Sequence, residues 1–213
     1  MRLYLSSYKL GNKPEEFVQL LNGKKRVGVI VNAIDHIEPL ARENFLADQI
    51  QNIKKLGLET QEIDLRTYFS KKDSLEKKVQ EFDGLWVTGG NAFTLRRAFR
   101  QSGFDTILPG LLDQDKLVYA GFSAGVCVLA PMLDGYELCD DPNHVPENYP
   151  KEIDWEGLGI LDYAFLPHYK SDHRETELID KVLEYMEQKQ ILNRPIHDGQ
   201  AIVVNGKMEF IVG

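Results

Sequence analysis

Short, nearly continuous apolar runs recur along the chain at residues 2–5, 26–31, 58–65, 84–88, 116–120 and 160–166. Each is long enough for a strand and too short for a helix. In the second, Val27, Val29, Ile30 and Val31 leave no polar face, as in a parallel strand covered on both sides. Between these runs the rhythm changes. Phe45, Leu46, Ile50, Ile53 and Leu56 recur at helical spacing and predict a helix over 43–56. Helices are likewise predicted over 73–82, 92–100 and 126–130, the last cut short by Pro131. Leu178, Ile179, Val182, Leu183 and Met186 form one apolar face of a further amphipathic helix. The tail alternates over 200–204 and 208–212 around Asn205-Gly206, a strong hairpin signal.

Strands alternating with helices predict an α/β fold, a doubly wound, mostly parallel sheet with helices on both faces. Sites in such folds form beyond the carboxyl ends of the strands. No internal repeat or low-complexity linker divides the chain, so residues 1–213 are expected to form one catalytic domain. The segment 134–159, rich in Asp, Asn, Pro and Gly, is the one long connection and a candidate gate over a site.

Composition narrows the class. A chain of 213 residues with 43% hydrophobic and 27% charged residues can bury a substantial core. A net charge of -8 argues against non-specific nucleic-acid binding, which needs a basic surface. Cys127 and Cys139 cannot build a disulfide framework, and Cys127 is expected to be a small buried residue. The first eight residues carry one positive charge and too short an apolar run for a secretory signal. No run approaches the length of a membrane span. A cytoplasmic protein with no membrane or nucleic-acid partner is expected.

The chemistry centres on Gly121-Phe122-Ser123-Ala124-Gly125, which matches the G-x-S-x-G nucleophile elbow between a strand and a helix. Such a turn lifts the serine hydroxyl above the sheet edge, and flanking glycines avoid crowding it. The helix N-terminus beneath offers N–H groups to an oxyanion. A serine nucleophile needs a base, and the base an orienting acid. Of five histidines, His168 follows an apolar strand and should emerge on the same edge as the elbow. His36, His144 and His173 are the competitors. For the acid, Asp198 stands between two short strands, while Asp134, Asp140 and Asp141 in the long loop would give the order Ser, Asp, His. Gly89-Gly90-Asn91 closes one strand and opens a helix, which suits an oxyanion hole or a phosphate-binding turn. It lacks the spacing of a dinucleotide fingerprint and the P-loop lysine. Acid and histidine spacings match no recognised metal site, so neither metal nor cofactor is expected.

Residues 87–93 (Val-Thr-Gly-Gly-Asn-Ala-Phe), the Gly121–Gly125 elbow, Pro167-His168-Tyr169 and Asp198-Gly199 occur in an order that resembles peptidase E, the aspartyl dipeptidases, and relatives including cyanophycinases. The resemblance implies a fold like that of class I glutamine amidotransferases, with serine in place of their cysteine. It implies Ser123 as nucleophile, His168 as base, and Asp198 as third member where peptidase E has glutamate. It also implies an oxyanion hole from the Gly90 and Ala124 N–H groups, with Gly89 the alternative for the first. Peptidase E carries Glu-Thr-Arg after the catalytic histidine, and that arginine holds the substrate's N-terminal aspartate. Here the stretch reads Arg174-Glu175-Thr176-Glu177. Glu177 in the arginine's place would repel an aspartate, with Arg174 or Lys170 left to compensate from a neighbouring turn. Alternatively, Glu177 is an exposed helix residue beside Lys181. The expected activity is therefore a serine peptidase acting on small peptides and not strictly on Asp-X. An esterase or amidase with the same triad, or a silent binding protein on this fold, are the rivals.

Overall fold

The computed structural model describes residues 1–213. In chain order its elements are β1 (Arg2–Ser6), α1 (Pro14–Leu20), β2 (Arg26–Ile30), α2 (Pro39–Lys54), β3 (Glu59–Glu62), α3 (Lys72–Val79), β4 (Gly84–Val87), α4 (Ala92–Ser102), α5 (Phe104–Asp113), β5 (Val118–Phe122), α6 (Ala124–Cys127), β6 (Ala164–Leu166), α7 (Thr176–Gln188), β7 (Asn193–Pro195), β8 (Ala201–Asn205) and β9 (Met208–Val212). Seven strands form one sheet in the order β3-β2-β4-β5-β1-β8-β9, parallel from β3 to β1 and antiparallel from there through the β8–β9 hairpin. It is the α/β, mostly parallel sheet that the alternation of patterns predicts.

The continuous apolar runs have a simple cause. Val27, Val29, Trp86, Val118 and Ala120 point into one apolar cluster with Phe17 and Ile53 from α1 and α2. Their neighbours Ile30, Leu85, Val87 and Tyr119 point into a larger cluster with residues of α3, α4, α5 and α7. Successive side chains in a strand alternate between faces, so a strand covered on both sides has no polar position.

Several boundaries differ from the sequence expectation. The strand expected over 58–65 stops at Glu62 because Asp64 accepts the Arg66 N–H and starts a 3₁₀ turn, Leu65–Tyr68. The strand expected over 160–166 is only Ala164–Leu166, because the Ile160 and Leu161 N–H groups both go to the Leu129 carbonyl. The helix expected over 126–130 begins at Ala124 and is a single turn. Helix α2 begins at Pro39, where the fixed proline φ suits a first turn.

This topology assembles one edge. β5 lies between β4 and β1, so the turns leaving their carboxyl ends are neighbours. The turn after β4 carries Gly89-Gly90, that after β5 carries Ser123, and that after β1 carries Ser7. A separate parallel pair, β6 with β7, aligns Leu166 with Pro195. His168 follows the first strand and Asp198 the second, so both leave the same end of that pair.

Candidate active site

Ser123 sits between β5 and α6 with φ 49° and ψ −123°, a backbone that non-glycine residues rarely adopt. The Val126 and Cys127 N–H groups both donate to the Ser123 carbonyl and hold the turn closed. The turn also packs tightly on β4: a Cβ at Gly125 would lie 2.3 Å from the Val87 carbonyl oxygen.

His168 also has positive φ, 60°. Its main-chain N–H donates to Ser7 Oγ at 2.8 Å, and its carbonyl accepts from Thr176 Oγ1 at 2.9 Å. The ring therefore stands in a fixed direction. Nε2 is 3.2 Å from Ser123 Oγ, and Nδ1 is 2.8 Å from Asp198 Oδ1. A carboxylate only accepts, so Nδ1 carries the proton and the Nε2 lone pair faces the serine hydroxyl. Asp198 is itself held. Its Oδ1 accepts from Ser7 Oγ at 2.7 Å, and its N–H donates to Ser171 Oγ at 2.8 Å. Burial pushes the His168 pKa below its ordinary value, His173 pushes the same way, and Asp198 opposes them.

Ser7 and Ser171 carry no motif, and sequence reasoning does not find them. Ser7 lies 161 positions from His168 and 191 from Asp198, so only the β1–β5 pairing and the β6–β7 pair bring them together. Of the loop aspartates left open as the third member, none bonds His168. Asp140 Oδ2 accepts the Ala92 N–H at the start of α4. Asp141 offers its carbonyl to Asn91 Nδ2 and its carboxylate to the Asn143 N–H.

Beside Ser123 the Gly89-Gly90 turn enters α4. Asn91 Oδ1 caps that helix by accepting the Thr94 N–H at 2.8 Å, and the Asn91 N–H donates to the Ala33 carbonyl. Gly90 has φ 143°, and a Cβ there would lie 2.5 Å from that same Ala33 oxygen, so the position accepts only glycine. The Gly89, Gly90 and Ala124 N–H groups have no protein acceptor.

Ser123, His168, Gly89 and Gly90 open onto a cavity of about 750 Å³ that is also lined by residues 139–141 and 144 of the long loop and by residues 172–175 before α7. Arg174 reaches this lining, but its side chain is 87% exposed. Glu177, expected from the resemblance to face the substrate, does not line the cavity and is exposed to solvent. Thr176 Oγ1 bonds back to the carbonyls of His168 and Ser171 and fixes the start of α7. Glu175 then faces the cavity, and Glu177, two residues and about 200° further round, faces away. The competitor histidines His36 and His144 meet each other on the cavity wall, ring centroids 4.5 Å apart, and neither bonds the serine.

His168, His173 and Glu175 present ligand atoms within 4.8 Å of one another. Both His168 nitrogens are already engaged, and the two imidazoles lie parallel. Their in-plane lone pairs therefore run side by side rather than converge, a poor match to tetrahedral coordination.

The sequence profile of peptidase family S51 matches residues 13–212. An uncharacterized peptidase of Listeria monocytogenes is 28% identical over 156 residues, 73% of this chain and 71% of that protein. Peptidase E of Streptomyces coelicolor is 27% identical over 156 residues, 71% of this chain and 60% of that protein. Among solved structures, a Listeria monocytogenes protein assigned to peptidase E superposes with a TM-score of 0.79 at 24% identity, covering 99% of this chain and 97% of the other. A peptidase from an acI-B1 actinobacterium gives 0.72 at 19% identity, covering 100% and 87%. At these identities the structures speak for the fold, while the family profile spans nearly the whole sequence. The chain belongs to peptidase family S51 and is a serine-type peptidase.

Proposed function

We propose that Ser123, His168 and Asp198 are the catalytic triad of this peptidase and that Gly90 and Ala124 supply its oxyanion hole. The observation that carries the reading is the unbroken relay from Ser123 Oγ to His168 Nε2, and from His168 Nδ1 to Asp198 Oδ1, at 3.2 and 2.8 Å.

The steps follow from these positions. A peptide carbonyl enters with its oxygen toward the free Gly90 and Ala124 N–H groups. Ser123 Oγ attacks the carbonyl carbon as its proton passes to His168 Nε2. The negative charge on oxygen is met by preorganised donors, and Asp198 stabilises the imidazolium. His168 then protonates the leaving amine, leaving an acyl-enzyme on Ser123. Water attacks that ester with His168 again as base, and the acid product departs. No step calls for a metal or an organic cofactor.

The substrates are small peptides, and strict Asp-X specificity is disfavoured. The cavity carries Asp140, Asp141, Asp172 and Glu175, against an Arg174 that lies mostly in solvent. An aspartate side chain would meet like charge there. A fluorophosphonate probe tests the nucleophile: mass spectrometry should place the adduct on Ser123. An adduct that persists in Ser123→Ala would reject the assignment.

A further inference from the structure

Two carboxylates enter the cavity beside Ser123 without a buried cation of their own. Asp140 comes from the long loop. Its Oδ2 takes one neutral donor, the Ala92 N–H at 2.8 Å, and the residue is in no ion pair. Glu175 comes from the opposite side, at the entry to α7. Its one cationic contact is the Arg174 Nε at 3.3 Å, from a side chain 87% exposed. Both acids line the cavity that Ser123 and His168 line. Burial, with the Glu175 charge adding to it, raises the Asp140 carboxyl to about 7, against the pull of the Ala92 N–H. A Glu175 carboxylate oxygen lies within 4.8 Å of a His168 ring nitrogen, so it stands near the reacting groups rather than at the rim.

Two acids facing one partly desolvated cavity resist ionising together. A cation placed between them removes that penalty and gains two charge-assisted hydrogen bonds. The structure supplies no such cation, while the site opens onto substrate.

We propose that Asp140 and Glu175 together receive a cationic group carried by the residue whose carbonyl Ser123 attacks. That group is either the α-ammonium of a peptide's first residue or a lysine or arginine side chain at that position. The proposal rests on the triad reading above, because it places the acyl-side residue in this cavity. It makes positively charged first residues the preferred class. It also moves the specificity role from Glu177, where the resemblance puts it, to Glu175, where the fold does.

The test compares kcat/KM for Lys-Leu, Ala-Leu and Nα-acetyl-Ala-Leu in the wild type, Glu175→Gln and Asp140→Asn. Both substitutions keep the shape, and the asparagine keeps an acceptor for the Ala92 N–H. If the side chain is the source, Lys-Leu should exceed Ala-Leu about tenfold or more. If the α-ammonium is the source, Ala-Leu should exceed its acetylated form by a similar factor. In either case the ratio should fall about tenfold in each variant, with the change in KM, as for loss of one charge-assisted contact. Wild-type ratios within about twofold, or ratios that survive in both variants, would overturn the proposal. Each ratio is taken within one enzyme, so a change in the chemical step cancels. Turnover surviving in Ser123→Ala would instead reject the triad, whatever the ratios.

Discussion

The His168 imidazole lies flat against that of His173, with ring centroids 3.7 Å apart and 8° between the planes. Tyr8 packs edge-on against both rings, and the Glu175 N–H donates to His173 Nδ1. The stack covers His168 and sets a second titratable ring beside it. Both effects disfavour the imidazolium and lower the His168 pKa from its ordinary 6.5. A lowered pKa keeps the base neutral to more acid pH, so the acid limb of kcat/KM should fall below 6.5. His173→Ala uncovers His168 and removes the second titratable ring beside it, and each change raises the His168 pKa. The acid limb should move up. A pH profile whose acid limb stays in place or moves down would show that the stack does not tune the base.

Ser7 links two members of the proposed triad, because it accepts from the His168 main chain and donates to Asp198. Ser7→Ala removes one of the bonds that aim Asp198 and leaves a buried N–H unpaired. A buried donor without a partner costs about 1–3 kcal/mol. If that loss falls on the aligned triad, kcat should drop by about tenfold to a hundredfold. KM should change little, since Ser7 does not line the cavity. A rise in KM with kcat unchanged would place Ser7 in substrate binding instead.

The loop over the site is tied down at a distance from it. Asp35, with a side chain 1% exposed, receives Arg42 Nε on Oδ1 at 2.6 Å and Asn32 Nδ2 on Oδ2 at 2.6 Å, and the Tyr149 hydroxyl of the loop donates to that same Oδ2. Arg42 is 8% exposed and also bonds Glu62 at 2.9 Å. Asp35→Ala would leave Arg42 buried without one of its three acidic partners. Breaking a buried pair from one side costs about 3–5 kcal/mol. Urea denaturation should report a loss of that order, and a loss below about 1 kcal/mol would show that the pair is not a keystone of the loop.

Glu177 gives a prediction of no effect. It is exposed and outside the cavity lining. Glu177→Arg should leave the kcat/KM ratio of Asp-Leu to Ala-Leu within about twofold, as for a surface charge in high dielectric. A strong shift toward Asp-Leu would return the residue to the substrate pocket.

How far the sequence reaches follows from what holds each part in place. Ser123 and His168 each follow a recognisable strand, so local pattern marks both as candidates, and the family likeness adds Asp198. The choice of Asp198 over Asp140 needs the β6–β7 pair, and β7 carries two polar residues and a proline, which give no strand signal. Helix α5 holds Pro109 and Gly110, which read as breakers; its Phe104, Ile107, Leu108 and Leu111 are buried and override them. Helix α1 is only seven residues long and buries two of them. The Glu175–Glu177 exchange is a matter of helix phase. Sequence places both near the site, and only the Thr176 anchor decides which of them faces it.

The central claim is that Ser123 is the nucleophile that His168 activates. Its most direct test is the turnover of Lys-Leu and Ala-Leu by the wild type and by Ser123→Ala, with far-ultraviolet circular dichroism to show that the variant is folded. Loss of a triad nucleophile should cut kcat by about four to six orders of magnitude, to the background left by binding and the oxyanion hole. A folded Ser123→Ala protein that still cleaved either dipeptide within about tenfold of the wild-type rate would contradict the account.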